Sequence, residues 1–115
     1  MSALSGGYHM DSLVGRTIRW VFDDGPMAGT TVDHRFGQDG SVTWSIHDGP
    51  HKGASMREET YAATAVNDKT WVVSYRAASG HTLTAVLNLD DHGMLGFGSD
   101  QSTWVPMRGT FELLP

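Results

Sequence analysis

The stretch Ile18-Arg19-Trp20-Val21-Phe22-Asp23-Asp24-Gly25-Pro26-Met27-Ala28-Gly29-Thr30-Thr31-Val32-Asp33-His34-Arg35-Phe36 decides the fold, because it reads as a β-hairpin with a single histidine on its apolar side. In the first arm Ile18, Trp20 and Phe22 face one way and Arg19, Val21 and Asp23 the other, the period of two that a half-buried strand requires. Asp24-Gly25-Pro26 ends it: Asp and Gly tolerate turn backbone angles, and Pro26 has no N–H to give to a ladder. In the second arm Val32, His34 and Phe36 share a face.

Turn signals recur at strand-length intervals beyond this hairpin, at Gly37-Gln38-Asp39-Gly40, Asp48-Gly49-Pro50, Asn67-Asp68, Ser79-Gly80, Asp91-His92-Gly93 and Ser99-Asp100. They divide the chain into eight predicted strands, at about 15–23, 29–36, 41–47, 55–65, 70–77, 81–89, 94–98 and 102–112, rich in Val, Thr, Trp, Tyr or Phe. No segment sustains a helical period. Eight short strands joined by short turns predict an all-β, eight-stranded antiparallel up-and-down barrel, which removes sheet edges and can leave room for one small ligand. A two-sheet sandwich is the competing geometry, but a Greek key needs a longer crossing connection than these turns provide.

The chain has 115 residues, enough for one core and too few for two ordinary domains, so a single domain over 13–115 is expected behind a flexible tail over 1–12. Thirteen acidic residues against eight basic ones, with no basic cluster, argue against a nucleic-acid partner or an anionic membrane surface. With no cysteine there is neither a disulfide framework nor thiolate chemistry. No apolar run has membrane-spanning length, and Met1 to Asp11 lacks the basic start and apolar stretch of a secretion signal, so a cytoplasmic protein is expected.

Strand parity predicts an aromatic interior. Val42, Trp44 and Ile46 alternate against Thr43, Ser45 and His47, and Leu83, Ala85, Leu87 and Leu89 against Thr82, Thr84, Val86 and Asn88. Trp71, Val73 and Tyr75 form a third row, Glu59 and Tyr61 share a face of the fourth strand, and Trp104 enters from the last. The predicted wall of a ligand site is therefore Trp20, Phe22, Trp44, Tyr61, Trp71, Tyr75 and Trp104, with His34 as its polar anchor. The same side chains could instead fill a solid core.

Two functions fit this pattern. One is noncatalytic binding of a small apolar or aromatic molecule. The other is a small lyase, isomerase or cyclase in which His34 transfers a proton and Glu59 or Tyr61 assists. Glu58, of opposite parity, would take the place of Glu59 if the register slipped by one residue. A packed-lumen interaction module is a third reading, and outward valines Val21, Val72 and Val86 make a homodimer conceivable. His47, Asp48, His51 and His92 flank turns that give no metal-ligand spacing, so neither a metal nor a cofactor is expected.

Phe22-Asp23-Asp24-Gly25-Pro26-Met27-Ala28-Gly29, Asp33-His34-Arg35-Phe36, Gly40-Ser41-Val42-Thr43-Trp44, Val73-Ser74-Tyr75 and Gly80-His81-Thr82-Leu83-Thr84 resemble a MoaF-like domain over roughly residues 13 to 112. The resemblance implies a lipocalin-like, or calycin, barrel. The family name comes from a gene neighbourhood for molybdenum cofactor synthesis and implies no catalytic step. A more distant resemblance is to the phenolic acid decarboxylases, whose first-strand tyrosines would fall at Trp20 and Phe22, whose arginine near Ser45 and whose glutamate near Asp68. Without those groups the resemblance implies a shared barrel and not the decarboxylation.

Overall fold

Ile18, Trp20 and Phe22 are buried along β1 (Thr17–Phe22), while Arg19 and Asp33 pair on the opposite face, as the alternation requires. This is seen in a computed structural model that describes residues 13–115; the predicted tail over 1–12 lies outside the described residues. A 3-10 turn at Gly25–Met27, with Pro26 inside it, carries the chain into β2 (Thr31–Phe36), which buries Val32, His34 and Phe36. Then follow β3 (Val42–Asp48), β4 (Ser55–Glu58), β5 (Tyr61–Asn67), β6 (Thr70–Arg76), β7 (Thr82–Asn88), β8 (Gly93–Ser99) and β9 (Trp104–Leu113).

These nine strands form one antiparallel sheet in the order β4-β3-β2-β1-β9-β8-β7-β6-β5. It is strongly curled into a half-barrel and is not closed. The expectation of eight strands is corrected at residues 55–65, read from the sequence as one strand. β4 runs antiparallel to β3 until Glu58 stands opposite Val42, the first residue of β3, and there its partner ends. The chain leaves the ladder at Glu59-Thr60 and starts again at Tyr61, opposite Tyr75 of β6. Tyr61 is held by the β2–β3 turn, its backbone N–H donating to the Gly40 carbonyl and its hydroxyl to that of Gly37. Three peptide steps from Glu58 to Tyr61 reach at most about 11 Å, so the two sheet edges lie close together at this end.

Along β6 the parity is clean: Trp71, Val73 and Tyr75 are buried and Val72 is half-buried on the other side. Of the other outward valines, Val86 is exposed and Val21 half-buried. Inside, Leu13, Ile18, Trp20, Phe36, Val42, Trp71, Val73, Leu87, Met94 and Phe111 belong to one apolar cluster.

Candidate functional site

The interior is solid in one part and hollow in another. Beside the packed cluster lies a cavity of about 370 Å³, within the size range of small-molecule sites. Phe22 of β1, Val32 and His34 of β2, and Trp44 and Ile46 of β3 line one side. Tyr75 of β6, Leu83 of β7, Gly98 of β8, and Val105 and Met107 of β9 line the other, and Met27 contributes from the 3-10 turn. The inward row of β8 shows why space remains here: Met94 is buried in the core, but Gly98, two pleats on, has no side chain to fill the lumen.

His34 Nε2 lies 2.8 Å from the Tyr75 hydroxyl, a hydrogen bond between strands far apart in the sheet order. Trp20 stacks on the imidazole at a centroid distance of 4.1 Å, with 27° between the planes. His34 is 2 % exposed, and burial pushes its pKa down to about 3 despite the nearby Asp33 carboxylate, so the ring is neutral at physiological pH. Burial, with a smaller contribution from the Glu58 charge, raises the Tyr75 hydroxyl above its ordinary value. Nδ1 of His34 has no hydrogen-bond partner among the described residues, and the same holds for Nε1 of Trp20 and of Trp71.

The carboxylate buried inside the curled sheet is Glu58, not Glu59. Glu58 is 3 % exposed; Trp44 Nε1 donates to it at 2.9 Å and the Ala78 backbone N–H at 3.1 Å. It therefore joins β3 to the β6–β7 turn across the gap between the sheet edges. Glu59 lies in the exposed break between β4 and β5, away from the cavity lining. The one-residue difference follows from the end of β3, which fixes Glu58 as the last paired residue of β4.

Among the predicted wall residues, Phe22, His34, Trp44 and Tyr75 meet at the cavity. Trp20 stands behind His34, Trp71 is buried in the core, and Tyr61 packs edge-on against Phe36 instead of lining the cavity. Trp104 is 78 % exposed and lies outside, because its inward-facing neighbours on β9 are Val105 and Met107. Ser45 is opposite Asp33, whose side chain pairs with Arg19 on the outer face, and Asp68 sits in the β5–β6 turn, so neither brings a carboxylate-orienting group to the cavity.

Met27 and Ser79 also line the cavity from outside the strands, where parity gives no direction, and Ala77 and His81 do so from the ends of the predicted strands 70–77 and 81–89, just beyond β6 and β7. Ser79 and His81 flank the β6–β7 turn, where His81 Nδ1 is 3.2 Å from the Ser79 hydroxyl and Nε2 is 3.5 Å from Asp100. Only the turn signal at Ser79-Gly80 marked this region.

The model of the MoaF N-terminal domain matches residues 8–101. The chain belongs to the MoaF family. The sequence resemblance is thus borne out. Among curated proteins none matches. In fold the MoaF chain is similar to a solved Burkholderia vietnamiensis protein provisionally named a beta-lactamase. The TM-score is 0.74 at 18% identity, covering 89% of this chain and 95% of that one. Likeness at that identity speaks for the fold alone.

Proposed function

We propose that this MoaF-family protein is a noncatalytic binder of a small, largely apolar or aromatic molecule, held in the half-barrel as in a calycin-type cup. The observation that carries this reading is the partly hollow interior: about 370 Å³ between apolar walls, with the His34–Tyr75 hydrogen bond as a directional polar feature.

The ionisation of that pair favours binding over turnover. Proton transfer is most effective when a group titrates near the working pH. His34 is pushed down to about 3 and Tyr75 is raised, so the pair is moved away from neutrality on both sides. The catalytic alternative also needs Glu59 or Tyr61 beside His34; Glu59 is exposed outside the cavity, and Tyr61 packs against Phe36 with its hydroxyl on the Gly37 carbonyl.

Titration with 1-aminoanthracene, a neutral fluorophore, tests the reading. Saturable one-to-one enhancement that is lost in Leu83→Trp, which fills the cavity, is the expected result. Enhancement that never saturates, or that survives Leu83→Trp, overturns it.

A further inference from the structure

The polar floor of the cavity carries a direction that its apolar walls do not. Neutral imidazole holds one proton, on either Nδ1 or Nε2. If it sits on Nδ1, a fully buried N–H has no partner, while Nε2 accepts from the Tyr75 hydroxyl. If it sits on Nε2, His34 donates to the Tyr75 oxygen, leaving a lone pair at the sealed Nδ1 and a hydroxyl hydrogen on Tyr75, which lines the cavity and can be met from it. Orphaned buried N–H groups are rarer in native proteins than under-satisfied acceptors, which favours the Nε2–H form. In that form the Tyr75 hydroxyl accepts from His34 and its own hydrogen is free.

The surrounding charges point the same way. Among the described residues no lysine or arginine lines the cavity. His81 at the rim faces the Asp100 carboxylate, and the buried carboxylate of Glu58 is held by Trp44, itself part of the wall. A carboxylate ligand would lose its hydration there without meeting a cation, whereas a neutral oxygen would need only one donor.

Resting on the lumen-binding reading, we propose that Tyr75, oriented by His34, donates its hydroxyl hydrogen to the ligand, so that the site selects neutral apolar molecules bearing one hydrogen-bond acceptor, such as a ketone, ester or ether oxygen, over carboxylates.

Three probes of one shape separate the outcomes: 2-acetylnaphthalene, its oxygen-free isostere 2-isopropenylnaphthalene, and 2-naphthoate, titrated calorimetrically at neutral pH. The ketone is expected to bind about 3- to 10-fold more tightly than the alkene, the worth of one net hydrogen bond, and more tightly than the anion. Tyr75→Phe should bring the ketone-to-alkene ratio to about one. Equal affinity for ketone and alkene, or a preference for naphthoate, overturns the donor assignment and leaves lumen binding standing; failure of all three to bind overturns both. Nitrogen-15 NMR of the unliganded protein supplies an arm independent of ligand and of variant folding: a proton on Nε2 of His34 is expected, and a proton on Nδ1 overturns the proposal.

Discussion

Tyr75 and His34 are 41 residues apart in the chain and 2.8 Å apart in space, joining β6 to β2 through the interior of the curled sheet. Since β4 and β5 are the two edges of the sheet, no ladder among the described residues holds these two sides together at the gap. Besides the bonds of Tyr61 to the β2–β3 turn, side chains do it: the His34–Tyr75 pair within, and Glu58 reaching from β4 to Trp44 and to the β6–β7 turn. Two of these buried polar residues, His34 and Tyr75, also line the hollow.

Burial of His34 makes stability depend on pH in a defined window. The folded-state pKa, about 3, lies below the ordinary imidazole value of 6.5, so at intermediate pH protons bind the unfolded chain and not the folded one. This contribution is steady above pH 6.5 and is lost progressively as pH falls toward 3. Between pH 7 and pH 5 the loss amounts to about 2 kcal/mol. Urea unfolding of wild type and His34→Gln at both pH values isolates it, because the other histidines are common to both proteins. A difference between the two proteins that does not change with pH would show that His34 is not buried as a neutral ring.

Replacing each of the adjacent glutamates separates a latch from a surface charge. Glu58→Ala leaves the Trp44 Nε1–H and the Ala78 N–H without their acceptor and should cost about 2–3 kcal/mol. Glu59→Ala, in the exposed break, should fall within about 0.5 kcal/mol of wild type. Chemical denaturation of both variants checks this. Equal losses would mean that the sheet edge is not pinned by Glu58.

What the sequence revealed, and what it did not, follows from how far each signal reaches. Alternation is local, so the inward rows Ile18-Trp20-Phe22 and Trp71-Val73-Tyr75 were legible from spacing alone. The break at Glu59-Thr60 was not, because it is imposed by the end of a different strand, β3. That same non-local cause exchanged Glu58 for Glu59. Parity also gives a side of the sheet but not a depth, so it could not distinguish Trp71 in the packed core from Trp44 at the cavity. Trp104 marks a further limit: an aromatic at the first residue of a strand attracts an inward assignment, yet Val105 and Met107 hold the inward row of β9.

Two glycines allow neighbouring strands to approach, and they should not tolerate a side chain. A Cβ at Gly96 would collide with the Thr84 carbonyl oxygen on β7, and one at Gly109 with the Val21 carbonyl oxygen on β1. Both obstacles are backbone, which cannot rotate aside, so Gly96→Ala and Gly109→Ala should each destabilise by about 1–3 kcal/mol or more, as overpacking does. Thermal unfolding followed by circular dichroism reads the effect. Wild-type melting temperatures in both variants would show that the strands are spaced more widely than described.

Gly98 is the contrasting case, and it links packing to function. Its nearest neighbour for an added Cβ is Met107 Sδ at 3.9 Å, ordinary contact distance, and the site faces the hollow. Gly98→Leu should therefore occupy part of the 370 Å³ without a backbone clash, adding apolar contacts with Leu83 and Met107 while reducing the space left for a ligand. Stability is expected to stay within about 1 kcal/mol of wild type or to rise, since a volume is filled instead of a packed core being forced apart. Affinity for 1-aminoanthracene should fall at least about 10-fold, equivalent to about 1.4 kcal/mol. Paired measurements of the melting temperature and the dye titration check both halves. A stable Gly98→Leu protein that binds the dye as wild type does would show that the dye occupies a site other than this cavity.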